Sequence, residues 1–289
     1  MSLRVRAVEI KDYQTVSDFL MEAAYTHKHL DWRIPQDWVG RQPFFILEED
    51  EDHSVQAILA CPTDPQDVAW VRVFAVSKTC MPSIAWELLF PPARAHLAGQ
   101  FPLPTIVSLA FQPWYEHLLQ NHGLCHHHDI IVLSWQLEMP PPRPLPAGMR
   151  IREMEAADLP RVHQIDTDAF ELIWRHSLES LTQAYLQAGY ATVLEAGDGQ
   201  LIGYQISTDN PDYLSAHLAR LAVSPQLQHH GLGYALVRDM LAYFNGERYT
   251  VTVNTPSTNH ISQALYRRLG FEPIDEYFPV YAWPWAKTP

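Results

Sequence analysis

The spacing of apolar residues alternates along the chain between the period of a strand and that of a helix. Apolar and polar residues alternate over Ala191–Glu195 and Leu201–Ser207, on either side of Gly197-Asp198-Gly199, which predicts a β-hairpin. Apolar residues three and four positions apart over Tyr234–Phe244 predict an amphipathic helix. Strands mixed with helices indicate an α/β arrangement. The other elements predicted in this half are strands at Met149–Arg152, Leu218–Val223 and Tyr249–Asn254, a helix from Asp158, and a helix from Asn259 to Leu269 with Ile261, Leu265 and Leu269 facing inward and Gly270 at its end.

A proline-rich segment, Met139–Gly148, lies close to the midpoint of the 289 residues. Proline cannot continue a helix or a central strand, so the segment predicts an extended, semi-rigid spacer. We therefore predict a domain over residues 1–138, a linker over 139–148 and a second domain over 149–289. The length exceeds that of one typical core and suits two.

The two halves match each other at a nearly constant offset. Asp12 matches Asp158 at an offset of 146, and Gly123 matches Gly270 at an offset of 147. Matches that span both halves from end to end indicate a tandem duplication. The remaining matches are Arg4-Val5-Arg6 with Arg150-Ile151-Arg152, Phe74–Ser77 with Leu221–Ser224, and Trp135 with Trp283.

The composition restricts the classes of partner. A formal net charge of −13 argues against nucleic acid, which requires clustered Lys and Arg, and favours cations such as protonated amines. There is no apolar run of membrane-spanning length and no signal region after Met1, so we expect a cytoplasmic protein without a membrane partner, either a monomer or a homodimer. Cys61, Cys80 and Cys125 are widely separated, which argues against a disulfide framework or a zinc ribbon.

The segment Val223–Gly233 has the pattern with the most chemical content. A predicted strand ends at Val223, a loop with two glycines follows, and a helix begins. Backbone N–H groups and the positive end of the helix dipole would meet there and could hold a pyrophosphate. Gly231 and Gly233 have no side chain to block its approach. The loop is neither a GxxxxGKS nor a GxGxxG nucleotide motif.

This segment resembles motif A of the GCN5-related N-acetyltransferase (GNAT) family, V-x-P-x-x-(Q/R)-x-x-G-x-(G/A). A second block further along resembles the N-x6-Y-x3-G-F signature of the same family, in the same order and at the usual separation. The matching residues are Val223, Pro225, Gln228, Gly231 and Gly233 in the first block, and Asn259, Tyr266, Gly270 and Phe271 in the second.

The resemblance implies two tandem GNAT-like domains, each with a mixed, mostly antiparallel central sheet flanked by helices. It implies an N-acetyltransferase that uses acetyl-CoA as co-substrate, needs no metal, and acts on a small-molecule amine or a peptide N-terminus. Tyr266 would donate a proton to the departing thiolate. The implied cofactor-binding residues are Leu221, Ala222, Val223, Gln228, His229, His230, Gly231, Leu232, Gly233, Tyr234 and Asn259.

The residue that would deprotonate the acceptor is less clearly indicated. An alkylammonium is not nucleophilic, so the amine must lose a proton. Ribosomal-protein alanine acetyltransferases, which are similar in pattern, have a Glu five residues before the motif Asn. Here that position is Asn254, which cannot act as a base. The candidates are His217, which we favour, then Asp209, Asp212 and Glu171, or a chain of water molecules.

Two aromatic residues mark the predicted acceptor side. Phe170 and Trp174 lie where the family places its acceptor-contacting helices, so with Asn254 they are predicted to bind the acceptor. An aromatic wall would suit an amine with an apolar or planar body, although both residues could equally be core aromatics. The histidines His122 and His126–His128 share no structured spacing with a carboxylate, so no metal site is predicted.

The N-terminal half departs from the motif at the decisive positions. Bulky Ile84 and Trp86 stand in place of the two glycines and are predicted to fill the phosphate space, which indicates a degenerate copy. Mycothiol synthases are similar in having tandem repeats with unequal halves. Two alternative functions remain open, a non-catalytic acetyl-CoA-binding sensor and an acyltransferase for another acyl-CoA. The other replacements are Met81 for Gln228, Gln112 for Asn259 and Leu119 for Tyr266.

Overall fold

The computed structural model describes residues 2–135, 138–245 and 250–285, in which strands alternate with helices as predicted. The predicted residue Tyr249 lies outside the described residues. The first half contains β1 (Leu3–Ala7), α1 (Tyr13–Glu22), β2 (Tyr25–Lys28), β3 (Phe44–Glu49), β4 (Val55–Ala60), β5 (Val68–Trp70), β6 (Val73–Val76), α2 (Pro82–Ala98), β7 (Thr105–Leu109), α3 (Pro113–Asn121) and β8 (Cys125–Trp135). The second half contains β9 (Arg150–Glu153), α4 (Leu159–Ala169), α5 (Leu178–Leu186), β10 (Tyr190–Glu195), β11 (Leu201–Asn210), β12 (Ser215–Val223), α6 (Leu232–Asn245), β13 (Thr250–Pro256), α7 (His260–Arg268) and β14 (Phe271–Ala282).

The chain forms two compact units whose limits differ from the predicted domain boundaries. Unit 1 comprises Met1–His128 and Phe278–Pro289, and unit 2 comprises Asp129–Tyr277. The larger part of β8 therefore belongs to unit 2, and the end of β14 belongs to unit 1. The proline-rich segment lies within unit 2. Each half of the sequence thus contributes the end of its last strand to the unit built mainly from the other half.

Unit 2 contains a sheet in the order β9-β10-β11-β12-β13-β8. Strands β12 and β13 are parallel and the other neighbours are antiparallel, which gives the mixed, mostly antiparallel sheet that the sequence predicts. Helices α6 and α7 pack on it in one apolar cluster that includes Leu218, Met240, Val253 and Tyr266.

Unit 1 contains an antiparallel sheet in the order β1-β3-β4-β6-β2. It also contains β5, which pairs in parallel with β7, and the end of β14, which pairs antiparallel with β7. Helices α2 and α3 contribute Trp86, Leu89 and Tyr115 to its core.

One ion-pair arrangement occurs at equivalent places in the two units, which supports the duplication. In unit 2, Arg152 Nη1 lies 2.8 Å from Asp158 Oδ2, and Arg152 Nε lies 2.9 Å from Glu195 Oε2. These contacts tie the first strand to the start of the first helix and to the neighbouring strand. The corresponding contacts in unit 1, at 2.7 and 2.8 Å, join Arg6 to Asp12 and Glu48.

The predicted inward face of α7 is wrong at one position. Ile261 is 65% exposed, whereas Gln263 and Tyr266 are buried and Leu269 follows on the same side. A helix advances about 100° per residue, so a residue two positions before Gln263 lies nearly opposite the buried stripe. Among the described residues, no helix has the length and apolar character to cross a membrane, and no three His, Cys, Asp or Glu side chains gather as metal ligands.

Candidate active site

The central feature of unit 2 is the separation of two parallel strands. Strands β12 and β13 pair only over Ser215–Leu218 and Thr250–Val253. Beyond these residues β12 pairs with β11 alone, and β13 pairs with β8 alone. The facing edges of Arg220–Val223 and Asn254–Pro256 therefore have no strand partner within the described chain. We call this opening the fork.

A β-bulge in β12 lies at the base of the fork. Ile206 pairs with Arg220 and Ser207 with Leu218, which leaves Ala219 without a partner. Side chains alternate between the faces of a strand, so one extra residue reverses the alternation. Leu218 and Leu221 accordingly both pack in the cluster with α6, although they are three residues apart. Arg220 is turned to the opposite face, towards α4.

The backbone of β12 offers polar groups to the fork. The Ser224 N–H donates to the Ile202 carbonyl at 2.8 Å, so Ser224 faces β11. Backbone groups alternate along a strand, so the N–H and C=O groups of Leu221 and Val223 point into the fork. This orientation leaves both groups of Leu221 and the N–H of Val223 available for the predicted cofactor contacts, whereas the Val223 carbonyl accepts from the Gln228 side chain. The backbone groups of Ala222 point to β11 instead, so the cofactor contact of Ala222 stays a prediction that the backbone direction does not favour.

The loop after β12 is closed by its own side chains. Gln228 Nε2 donates to the Val223 carbonyl at 3.1 Å, and His230 Nδ1 lies 2.8 Å from the Gln228 carbonyl. His229 has a positive φ of 66°. The side chains of Gln228 and His230 thus shape the loop, and its backbone groups and the exposed His229 ring can face an anion. The first turn of α6, from Leu232, has N–H groups without acceptors in the helix.

The absence of a side chain serves a different structural purpose at each of the two motif glycines. Gly231 has φ +80°, and a Cβ added there would meet no atom within 4 Å. The space beside its backbone is therefore open, which fits a pyrophosphate at the helix N-terminus. A Cβ on Gly233 would lie 3.3 Å from Leu265 Cδ2 of α7. Gly233 therefore permits close packing of the two helices, which was not part of its predicted role.

The proline-rich segment packs on α6. The Tyr234 hydroxyl donates to the Pro141 carbonyl at 2.9 Å, and Arg238 Nε donates to the Pro140 carbonyl at 3.1 Å. The Arg143 guanidinium lies 4.6 Å from the centre of the Tyr234 ring. The segment has neither helix nor strand, as predicted, but it is attached along α6 rather than free. Tyr234 can reach a phosphate only through its backbone N–H.

Tyr266 of α7 packs in the apolar core beneath the sheet of unit 2. It is 5% exposed and belongs to the same cluster as Leu218 and Val253, the last paired residues of β12 and β13. Burial raises the pKa of its phenol, and the positive charge of Arg220 opposes that rise. The phenol therefore holds its proton at neutral pH. Asn259 caps α7 by accepting from the Ser262 N–H at 3.1 Å through Oδ1.

A buried arginine organises the opposite side of the fork. Arg220 Nε donates to Asp166 Oδ2 at 2.7 Å, its Nη2 donates to the Trp174 carbonyl, and its guanidinium lies 3.5 Å from the centre of the Phe170 ring. The buried Asp166 also accepts a hydrogen bond from the Tyr204 hydroxyl. Burial raises the pKa of the Asp166 carboxyl, but Arg220 outweighs it and holds the pKa below its usual range. The structure thus gathers the predicted acceptor residues Phe170 and Trp174 around a charge pair.

The sequence interpretation missed Arg220 and Asp166, although a signal was present. Arg220 is the one charged residue in the otherwise apolar strand segment Leu218–Val223. Asp166 follows Ile165 on the apolar face of a predicted helix. Charged residues are rarely buried without a partner, so these two positions could have been paired.

The candidate bases differ in their surroundings. His217 Nδ1 lies 2.9 Å from Thr252 Oγ1, and burial lowers the pKa of His217 to about 4. The imidazole is therefore neutral at physiological pH but a weak base. Glu171, Asp209 and Asp212 are exposed to solvent. The predicted acceptor residue Asn254 lies on β13, opposite Val132 of β8.

The low pKa of His217 predicts a loss of stability in acid. The imidazole titrates near 6.5 in the unfolded chain but near 4 in the fold, so between these values the unfolded chain binds more protons. The free energy of unfolding should therefore fall as pH falls through this window, by up to about 1.4 kcal/mol per pH unit. Urea unfolding at pH 7.5 and 5.0 should show a smaller fall for His217→Gln than for the parent. The exposed His260→Gln should behave as the parent does, and an equal fall in both variants would contradict the assignment.

The equivalent of the fork in unit 1 is filled by the chain itself. Strand β6 corresponds to Arg220–Val223 and pairs with β4 on one edge. On its other edge β6 pairs with β2 over its full length, with Tyr25 opposite Val76 and Lys28 opposite Val73. The edge that is open in unit 2 is therefore closed in unit 1.

The two residues expected to fill the phosphate space of unit 1 have different surroundings. Ile84 is 43% exposed in the first turn of α2. Trp86 is buried, with its ring centre 5.1 Å from that of Phe74 and 4.7 Å from that of Phe90. It occupies the core rather than a loop. The strand β2, which the sequence did not predict, closes the cleft instead.

Comparison with known proteins points to one family. The sequence model of the Acetyltransferase (GNAT) family matches residues 159–271. No curated protein matches the chain. A tandem GNAT protein from the clavulanic acid biosynthesis pathway is 17% identical, with 97% of this chain and 98% of that chain covered and a TM-score of 0.62. A GCN5-related N-acetyltransferase from Sphaerobacter thermophilus is 17% identical, with coverages of 97% and 95% and a TM-score of 0.57.

A conserved protein of unknown function from Enterococcus faecalis V583 is 10% identical, with coverages of 98% and 72% and a TM-score of 0.71. At these identities the structural likeness establishes the fold, and the family match covers the segment that contains both motifs. Residues 159–271 form a domain of the Acetyltransferase (GNAT) family, in a chain that has the fold of a tandem GNAT protein.

Proposed function

We propose that unit 2 transfers the acetyl group of acetyl-CoA to a primary amine within the fork. The observation that carries this proposal is the combination of a free strand edge and a helix N-terminus on one continuous segment. The backbone groups of Leu221 and the N–H of Val223 would hold the pantetheine arm. The open space at Gly231, beside the first turn of α6, would take the pyrophosphate. The thioester would then lie near Tyr266.

The reaction that this arrangement supports is a direct attack. The amine nitrogen forms a bond to the thioester carbon, and the carbon–sulfur bond breaks. The Tyr266 hydroxyl gives its proton to the departing sulfur to form free CoA thiol. The nitrogen then releases its extra proton to solvent. Solvent in turn returns a proton to the Tyr266 oxygen, so charge is balanced over the cycle. The products are the acetylated amine and CoA.

The proton on the nitrogen has a weak local acceptor. Burial lowers the pKa of His217 on β12 to about 4. The imidazole is therefore unprotonated at neutral pH and is a weak base. We propose that it relays the proton to water. On this proposal the acceptor amine must enter largely in its neutral form, so kcat/KM should rise with pH up to the pKa of that amine.

The proposal is tested by turnover. The protein is mixed with acetyl-CoA and a panel that contains peptide N-termini, polyamines, aminoglycosides and amino sugars. Release of the CoA thiol and a mass increase of one acetyl group on an amine would support it. Binding of acetyl-CoA without product from any amine would favour the sensor alternative. A higher kcat/KM with a longer acyl-CoA than with acetyl-CoA would favour the other acyltransferase.

Substitution of Gly231 tests the position of the cofactor. We expect Gly231→Val to weaken CoA binding by at least about a hundredfold, because the side chain would enter the space assigned to the pyrophosphate. Gly199→Val is a matched control. Gly199 also has a positive φ, of +84°, and open space at its Cβ, but it lies in the β10–β11 hairpin. Both variants should lose similar stability, while calorimetry should show one CoA per chain only for the parent and Gly199→Val. Equal CoA affinity in the two variants would contradict the loop assignment.

A further inference from the structure

Unit 2 contains a buried ion pair, Arg220 with Asp166, on the α4 side of the fork, and the proposed reaction assigns it no role. Arg220 is 9% exposed and Asp166 is fully buried. Burial of two charges has a desolvation cost that a single ion pair often fails to offset. Such a pair is therefore a weak contribution to stability and a stronger candidate for a positional role.

Arg220 and Asp166 together contact three residues of one short segment. Its guanidinium stacks on Phe170 at 3.5 Å and donates to the Trp174 carbonyl. Asp166, its partner, also accepts from the His176 N–H at 3.0 Å through Oδ1. The segment Phe170–His176 contains a 3-10 turn, Leu172–Trp174, and Arg175 Nε donates to the Phe170 carbonyl at 3.1 Å. The charge pair thus links this segment to β12.

The position of Arg220 along β12 makes this link relevant to the fork. Arg220 directly follows the bulge residue Ala219, and the bulge is what turns its side chain to the α4 face. The same strand continues into the backbone groups of Leu221 and Val223 that face the fork. A shift of the Phe170–His176 segment is therefore coupled to the strand that would hold the acetyl group.

We propose that Arg220 is a positioning residue that anchors the segment Phe170–His176 to β12 and keeps a fixed positive charge beside the fork. The part that concerns the acceptor rests on the proposed function. Arginine suits this task because its planar group donates in two directions and stacks on a ring at the same time. Lysine would keep the charge but would lose the stacking and one of the two directional bonds.

The test compares Arg220→Lys with Arg152→Lys. Arg152 is the matched control, because it too forms an ion pair with a carboxylate. It lies on β9 and pairs with Asp158, just before α4, and with Glu195. Hydrogen–deuterium exchange of the amides of residues 170–176 should become about tenfold faster or more in Arg220→Lys, as expected for loss of a hydrogen bond to a charged group. Exchange there should be unchanged in Arg152→Lys. CoA affinity should be unchanged in both variants.

The kinetic outcomes separate this proposal from the proposed function. With an amine that the parent acetylates, Arg220→Lys should raise the KM for that amine about tenfold, while Arg152→Lys should not. Unchanged exchange over residues 170–176 in Arg220→Lys would overturn the anchoring role. Faster exchange with an unchanged amine KM would overturn its link to the acceptor. If the parent acetylates no amine, the proposed function fails, and the exchange measurement still decides whether Arg220 anchors the segment.

Discussion

Replacement of Tyr266 by phenylalanine is expected to remove nearly all acetyl transfer while acetyl-CoA binds as before. The phenol packs in the apolar core beneath the sheet of unit 2 and is protonated at neutral pH because burial raises its pKa. Its removal leaves the ring packing in place but takes away the proton for the departing sulfur. A positioned general acid contributes about 10²–10⁴ in rate, so kcat should fall by that factor.

Tyr190→Phe is the matched control for this substitution. Tyr190 is a half-buried tyrosine of unit 2, and its hydroxyl donates to Asp239 Oδ2 at 2.9 Å. Loss of that hydroxyl should leave kcat unchanged. Thiol release is measured at saturating acetyl-CoA and amine, together with calorimetry of CoA binding. If Tyr266→Phe turns over at the rate of Tyr190→Phe, Tyr266 is not the acid.

Division of the chain at the proline-rich segment is expected to unfold both parts. Residues 149–289 alone would lack the β8 residues that pair with β13, including the buried Leu133 and Trp135. Residues 1–138 alone would lack the end of β14, which pairs with β7. Loss of one large buried side chain costs about 2–5 kcal/mol. Loss of several from one unit is comparable with the whole stability of a typical domain, about 5–15 kcal/mol.

The division is tested in two ways that differ only in when the chain is cut. Each part is first expressed alone, and circular dichroism is expected to show little cooperative unfolding. The whole protein, with a protease site inserted between Pro142 and Arg143, is then cut after folding. Its two pieces should stay together under native conditions and separate only in denaturant. A soluble, CoA-binding fragment 149–289 would show that the exchange of last strands is dispensable.

Local patterns predicted the elements and the family because their signals lie close together in sequence. The hairpin around Gly197–Gly199 follows from alternation and turn residues, and α6 follows from helical spacing. The spacing of Gly231 and Tyr266 led to the family, since the motif lies within one continuous segment. The error at Ile261 arose because a short helix offers few apolar positions to define its face.

Features that depend on distant partners were not predictable in the same way. The bulge at Ala219 has no local sequence signature, yet it decides that Arg220 faces α4. Strand β2 contains polar residues such as Thr26 and Lys28, and it is a strand only because β6 offers it an edge. The last strands β8 and β14 were recognisable as repeats of each other. Nothing in either one specified that each would pair in the unit of the other half.

Strand β2 acts towards unit 1 as a ligand that cannot dissociate. Because it is tethered through α1 to the same chain, its effective concentration at the β6 edge is fixed by the covalent structure. By mass action, a diffusible cofactor would stabilise unit 2 by about 2.7 kcal/mol at a hundredfold excess over its dissociation constant. Unit 1 would receive no such increment, because its edge is already occupied. On the proposed function, the supply of acetyl-CoA would therefore regulate the stability of unit 2, whereas the stability of unit 1 would not depend on it.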